Sequence, residues 1–118
     1  SLLQISRTSI FIKIMAIYVV DLDGTLCDTQ KSELGFWRYL EATPFPDRIE
    51  KINRLFDEGN TIIIETARGC TSGKDWYPET FSQLSKFGVQ YHTLRTGVRY
   101  GADFFIDDRA INADDFFK

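Results

Sequence analysis

Apolar residues along this chain alternate between two patterns. Ala16 to Val20 and Thr61 to Ile64 are short, β-rich apolar runs without polar interruption, the signature of strands buried on both faces. Phe104 to Ile106 is a third run of the same kind. Each ends abruptly on polar residues: Asp21, then Glu65 and Thr66, then Asp107 and Asp108. Between the runs the spacing changes to a helical period. Helices are predicted over Glu33 to Leu40, over Asp47 to Glu58 and over Trp76 to Phe87. The second carries Ile49, Ile52, Leu55 and Phe56 on one stripe and stops at Gly59; the third tolerates Pro78 in its first turn and stops at Gly88. A short strand, Gln90 to Leu94, follows. Strands alternating with crossover helices predict an α/β fold, a parallel sheet with helices on both faces, which binds ligands beyond the carboxyl ends of its strands. The polar residues at the strand ends are therefore expected to converge.

The chain has 118 residues, 43% of them hydrophobic and 26% charged, which suits a single domain. Its first part, residues 1–14, contains no acid and reads as an extension; residues 15–118 are expected to form the domain, with Met15 a natural start. Fourteen Lys and Arg against 17 Asp and Glu give a net charge of -3, so nothing in the composition offers a basic face to a nucleic-acid backbone. The apolar run from Ile10 to Val20 is interrupted by Lys13 and falls well short of the roughly 20 residues a membrane span needs. Two cysteines, Cys27 and Cys70, make neither a disulfide framework nor a zinc spacing, and imply a reducing, cytoplasmic setting.

The candidate chemistry lies at the strand ends. Asp21-Leu22-Asp23-Gly24-Thr25 places two carboxylates around a turn, and Asp107-Asp108 supplies a second acidic pair. Asp and Gly favour turns in any case, and Arg109 could neutralise the second pair as a surface ion pair. A turn at Asp21 does not explain the second pair, however. If both sets of carboxylates meet, each like-charge contact at about 4 Å costs roughly 4 kcal/mol at an effective dielectric near 20. An all-oxygen cluster without His or Cys selects a hard cation, Mg²⁺ above others.

In these residues the chain resembles the haloacid dehalogenase-like superfamily of phosphotransferases, from Met15 to about Ala113. Asp21 to Thr25 matches its first motif, Thr66 in Ile62-Ile63-Ile64-Glu65-Thr66-Ala67-Arg68 the second, and Asp107-Asp108 the fourth. Arg99, eight residues before Asp107, fills the place of the third, where Lys is commoner and Arg95 is the alternative. The runs Thr66-Ala67-Arg68-Gly69 and Ile106-Asp107-Asp108-Arg109-Ala110 look like small capless members found with sugar and capsular polysaccharide metabolism.

The resemblance implies a three-layer Rossmann-like domain with no large cap. It implies a Mg²⁺-dependent phosphate monoester hydrolase acting on a phosphorylated sugar or small metabolite. Asp21 would be the nucleophile and Asp23 the general acid and base. Asp21, Asp23, Asp107 and Asp108 would serve the metal. Thr66, Ala67 and the backbone of Leu22, Gly24 and Thr25 would bind phosphoryl oxygens, with Arg99 as the remaining positive charge. An open site suits a bulky substrate or a second subunit acting as lid. Two other functions fit the motifs: a polynucleotide 3'-phosphatase, which the acidic composition opposes, and a non-catalytic phosphate-binding or scaffold domain.

Other features read as structure. Gly69-Cys70-Thr71-Ser72-Gly73-Lys74 approximates a phosphate-binding loop, but its first Gly is one position too close and Asp75 stands where Ser or Thr is required. His92 and both cysteines read as packing residues, Lys74 as solvated and Trp76 as packed.

Overall fold

The computed structural model describes residues 15–118, so the expected extension over residues 1–14 lies outside the described residues. Among the described residues three parallel strands form the sheet: β1 (Ile17–Val20), β4 (Thr61–Thr66) and β5 (Thr93–Thr96), in the order β1-β4-β5. A two-stranded antiparallel ribbon, β2 (Cys27–Asp28) with β3 (Thr43–Pro44), rises beside it. The helices are α1 (Pro46–Asp57), α2 (Tyr77–Phe87) and the short α3 (Ala113–Phe116). The α/β class and the parallel sheet are those read from the hydrophobic pattern.

Register brings the strand ends together. Val20 pairs with Ile64, and Thr66 pairs with Thr96, so the residues following β1, β4 and β5 emerge at one edge. Ile62, Ile64, Ile52 of α1 and Leu84 of α2 are fully buried around the sheet. Asn60, also buried, stitches the opposite end: its Oδ1 accepts from the Ala16 N–H at 2.8 Å and its Nδ2 donates to the Leu55 carbonyl at 2.9 Å. One side chain thereby ties the start of β1 to the end of α1, where the Asn60 backbone N–H also donates to the Leu55 carbonyl at 3.1 Å.

Three expected elements differ. Glu33 to Leu40 is no helix. Gly35 sits at φ +86°, the Phe36 N–H donates to Ser32 Oγ at 3.1 Å, and Lys31 bridges Trp37 in antiparallel fashion. A left-handed glycine and a closing serine make this stretch a hairpin tip; only Tyr39–Glu41 turns, as one 3₁₀ turn. The strand expected over Gln90 to Leu94 begins three residues later, because the Gln90 N–H is taken by Asn53 Oδ1 at 2.8 Å and the Val89 N–H by the Leu84 carbonyl at 3.1 Å. His92 closes that entry: its Nδ1 accepts from the Ile62 N–H at 3.0 Å and its ring stacks on Phe56. It is a structural histidine.

The third difference matters most. Phe104 to Ile106 forms no strand and lies exposed, Ile106 at 99%. Phe105 is drawn to the Arg99 guanidinium, 4.0 Å from its ring, and Asp107 Oδ1 accepts from the Arg109 N–H at 2.8 Å. A three-residue apolar run held by a cation at its middle ring and followed by an Asx turn cannot extend. Among the described residues β1 is thus an edge strand, with Ile17 71% exposed.

Beyond this loop the chain is held again. The Asn112 side chain caps α3 by accepting from the Asp114 N–H at 2.9 Å. Asp114 pairs with Arg48 of α1 at 2.7 Å, Lys51 donates to the Phe116 carbonyl, and Phe116 packs on Tyr18. No helix among the described residues is long and apolar enough to cross a membrane.

Candidate functional site

An open cleft of about 980 Å³ runs along β1, and its walls include Asp21, Asp23, Thr25, Arg99 and Asp107. Asp21 follows β1 directly. Its carboxylate accepts from Thr25 Oγ1 at 3.4 Å and lies 3.9 Å from Arg99 Nε. Burial pushes its pKa above the ordinary carboxylate value, and nearby Asp23 adds to the rise. Arg99, the Leu22 N–H and the Thr25 hydroxyl pull the other way, less strongly. A desolvated carboxylate with one cation beside it is a stronger base and nucleophile than one in water. Arg95, the alternative cation, instead faces Glu65 at 3.9 Å.

Asp23 is fastened on all sides but one. Arg68 reaches it with two donors, Nε to Oδ2 at 2.9 Å and Nη2 to Oδ1 at 2.8 Å. Thr29 Oγ1 donates to Oδ1 at 2.5 Å. Arg68 itself is wholly buried, and its Nη1 donates to Gln83 Oε1 at 2.7 Å and Thr80 Oγ1 at 3.3 Å on α2. Tyr39 covers the guanidinium, 4.7 Å from ring centre to Cζ. Arg68 stands within the Thr66-Ala67-Arg68-Gly69 run, but neither it nor its partners Thr29, Tyr39, Thr80 and Gln83 are among the site residues expected from the sequence. The carboxylate that Arg68 holds lies 45 residues away in the chain.

The expected phosphate-binding groups are placed unevenly. Thr66 ends β4, buried, with its hydroxyl accepting from the Arg68 N–H at 3.3 Å; Ala67 follows it, half-buried. The Gly24 N–H donates to the Cys27 carbonyl at 2.8 Å and the Thr25 N–H to the Leu22 carbonyl at 3.1 Å. These two amides close the turn on itself. The Leu22 N–H is directed at Asp21.

Asp107 and Asp108 are not gathered with Asp21 and Asp23. Asp107 shares the cleft but is exposed, and the Arg109 N–H holds its carboxyl below the ordinary value. Among the described residues no three His, Cys, Asp or Glu side chains converge as a metal would require. Asp23 gives both oxygens to Arg68, Asp21 faces Arg99, and Asp107 turns back on its own loop. In this arrangement the four carboxylates expected to serve a metal are divided between the end of β1 and the loop that follows Phe104 to Ile106, which forms no strand.

Behind the site, the loop from Gly69 to Lys74 returns on itself, with the Gly73 N–H donating to the Gly69 carbonyl at 2.9 Å. Gly69 has φ +89°, and a Cβ there would stand 2.2 Å from the Lys74 carbonyl oxygen and 3.3 Å from Trp76. Gly69→Ala is expected to destabilise by about 1–3 kcal/mol. Thermal melting with tryptophan fluorescence checks it, since Trp76 must move; an unchanged melt and spectrum would contradict the geometry. Trp76 packs edge-on against Tyr39, with the Lys74 ammonium 3.9 Å from its ring centre. Cys27 is buried and its thiol is pushed up to about 11 by that burial, so it is no nucleophile.

No family model matches the chain, and no curated protein does. A crystal structure of a structural-genomics target from Vibrio cholerae is similar: 31% identity, 87% of this chain against 88% of that one, and a TM-score of 0.74. The chain belongs to the same family as that protein. The Vibrio relative thus shares the α/β architecture described above over nearly its full length.

Proposed function

We propose that this protein is a phosphate monoester hydrolase of the haloacid dehalogenase-like type, built on a three-layer Rossmann-like domain without a large cap. The observation that carries this reading is Asp21. It stands at the carboxyl end of a parallel strand, desolvated, between a guanidinium and a hydroxyl, and opens on a cleft. In that setting an Asp21 oxygen attacks phosphorus in line, the bond from phosphorus to the leaving oxygen breaks, and an aspartyl-phosphate forms. Arg99 offsets the charge of the incoming dianion. Asp23 supplies the proton that the leaving oxygen takes up. Water then attacks phosphorus, Asp23 receives its proton, and inorganic phosphate departs with Asp21 restored.

A substrate class of phosphorylated sugars or small metabolites accords with the subgroup motifs and with a net charge of -3, which disfavours polynucleotides. A Mg²⁺ requirement belongs to the same reading and demands that Asp107 be brought to Asp21. Cys27 and Cys70 are free thiols, in accord with a reducing, cytoplasmic compartment. The absence of a three-ligand cluster among the described residues favours the second reading, a phosphate-binding module without turnover. Phosphate release from a panel of sugar phosphates, nucleotides and a 3'-phosphorylated oligonucleotide, with and without Mg²⁺, decides between them. Release lost in Asp21→Asn supports the hydrolase. No release from any of them by a folded protein overturns it.

A further inference from the structure

Arg68 is the one large cation in the described structure with no exposed surface, and every donor it aims inward has a partner. Burying an ion pair of this kind adds little to stability, since well-packed apolar residues would hold the same space at least as well. The pair has another consequence. Asp23 Oδ1 is saturated by Arg68 Nη2 and Thr29 Oγ1, with Cys27 Sγ a further 3.7 Å away. Oδ2 accepts only Arg68 Nε, which leaves one lone-pair direction open on a carboxylate that lines the cleft and whose side chain is 22% exposed. A forked guanidinium fixes the plane of a carboxylate, which a single-point cation does not. Thr80 and Gln83 in turn fix the guanidinium from α2, and Tyr39 covers its face.

We infer that Arg68 is a positioning residue that locks the Asp23 carboxylate so that Oδ2 alone serves as the working oxygen toward the leaving group. This rests on the hydrolase reading above. The chain of contacts from α2 through Arg68 to Asp23 makes the helix part of the support of the site, although no residue of α2 touches the cleft side of Asp23. Lys at position 68 would keep the charge and lose the fork.

The test compares Arg68→Lys with the unaltered protein on two substrates, an alkyl phosphate and p-nitrophenyl phosphate, whose leaving group departs without a proton. General acid assistance is worth upwards of about a hundredfold. Misplacing Asp23 is therefore expected to cost at least about tenfold more kcat on the alkyl ester than on the aryl ester, with little change in KM. In an Asp23→Asn background, Arg68→Lys should add no further bias between the two. If Arg68→Lys does not fold, Gln83→Leu loosens the guanidinium from behind without touching Asp23 and should bias the two esters in the same direction. An equal loss on both esters in a folded variant, with Asp21→Asn inactive, overturns the inference alone. Full activity in Asp21→Asn, or no phosphate release by the unaltered protein, overturns the hydrolase reading and this inference with it.

Discussion

Asp21→Asn is expected to abolish phosphate release, by at least about a thousandfold in kcat, since removing an attacking group leaves only what binding and electrostatics contribute. The amide is nearly isosteric with the carboxylate, keeps the Thr25 contact within reach and removes only the nucleophilic charge. The same substitution should make the fold more stable at neutral pH. Burial raises the Asp21 pKa in the folded state, so the folded protein holds that proton more tightly than the unfolded chain. The sign follows from linkage. Below the ordinary carboxylate value both states are protonated and Asp21 brings no penalty. As pH rises through the raised folded value the ionised group remains partly desolvated and stability is lost. The unaltered protein and Asp21→Asn should therefore melt alike near pH 3, with the variant melting progressively higher as pH increases. Melting curves across that range check it, and a gap that narrows toward neutral pH would mean that Arg99, not burial, dominates at Asp21.

The second large effect is on stability. Arg68→Ala should cost about 3–5 kcal/mol, because removing one partner of a buried pair strands the other and leaves Thr80 and Gln83 without their donor. Asp23 retains some exposure, which places the value toward the lower end of that range. Against a typical domain stability of roughly 5–15 kcal/mol, this is enough to make the protein marginal. Urea unfolding followed by circular dichroism measures it. A loss under 1 kcal/mol would mean that water enters and solvates Asp23 in place of the guanidinium. Substituting both partners together by apolar residues should cost much less than the single change, and comparing the two separates lost pairing from lost packing.

The fold was legible where long apolar periods met clear stops. α1 and α2 lie within a residue of their expected starts and end at or just before Gly59 and Gly88, because stripe and terminator agree there. β1 and β4 were equally plain. The stretch from Glu33 to Leu40 misled because its apolar residues keep a helical spacing while Gly35 and Ser32 enforce a hairpin tip; local turn chemistry won over period. Phe104 to Ile106 misled for the opposite reason. Its composition suits a strand, but three residues offer too few ladder bonds to outweigh the Arg99 to Phe105 stacking and the Asp107 turn.

The site divides along similar lines. Asp21, Asp23 and Thr66 could be found because each stands at or just beyond the end of an apolar run, where a parallel sheet collects its polar groups; Arg99 follows only from the family resemblance, by its spacing of eight residues before Asp107. The structure brings Arg99, and not Arg95, to Asp21. Arg68 could not be found that way. It stands in the Thr66-Ala67-Arg68-Gly69 run, but its hold on Asp23 comes from being enclosed by α2 and Tyr39, and enclosure is a property of the assembled chain.

The stretch between Gly97 and Asn112 is moored at both ends, by β5 on one side and by the docking of α3 on α1 on the other. Asp107 and Asp108 are therefore tethered cargo that cannot diffuse away from the cleft. A tether of this length keeps its groups at an effective local concentration in the millimolar range, and each doubling of such a loop costs only about 0.6 kcal/mol of closure entropy. Bringing those carboxylates to Asp21 would mean releasing the Arg99 to Phe105 stacking and the Asp107 turn, contacts that lie outside the sheet, α1 and α2.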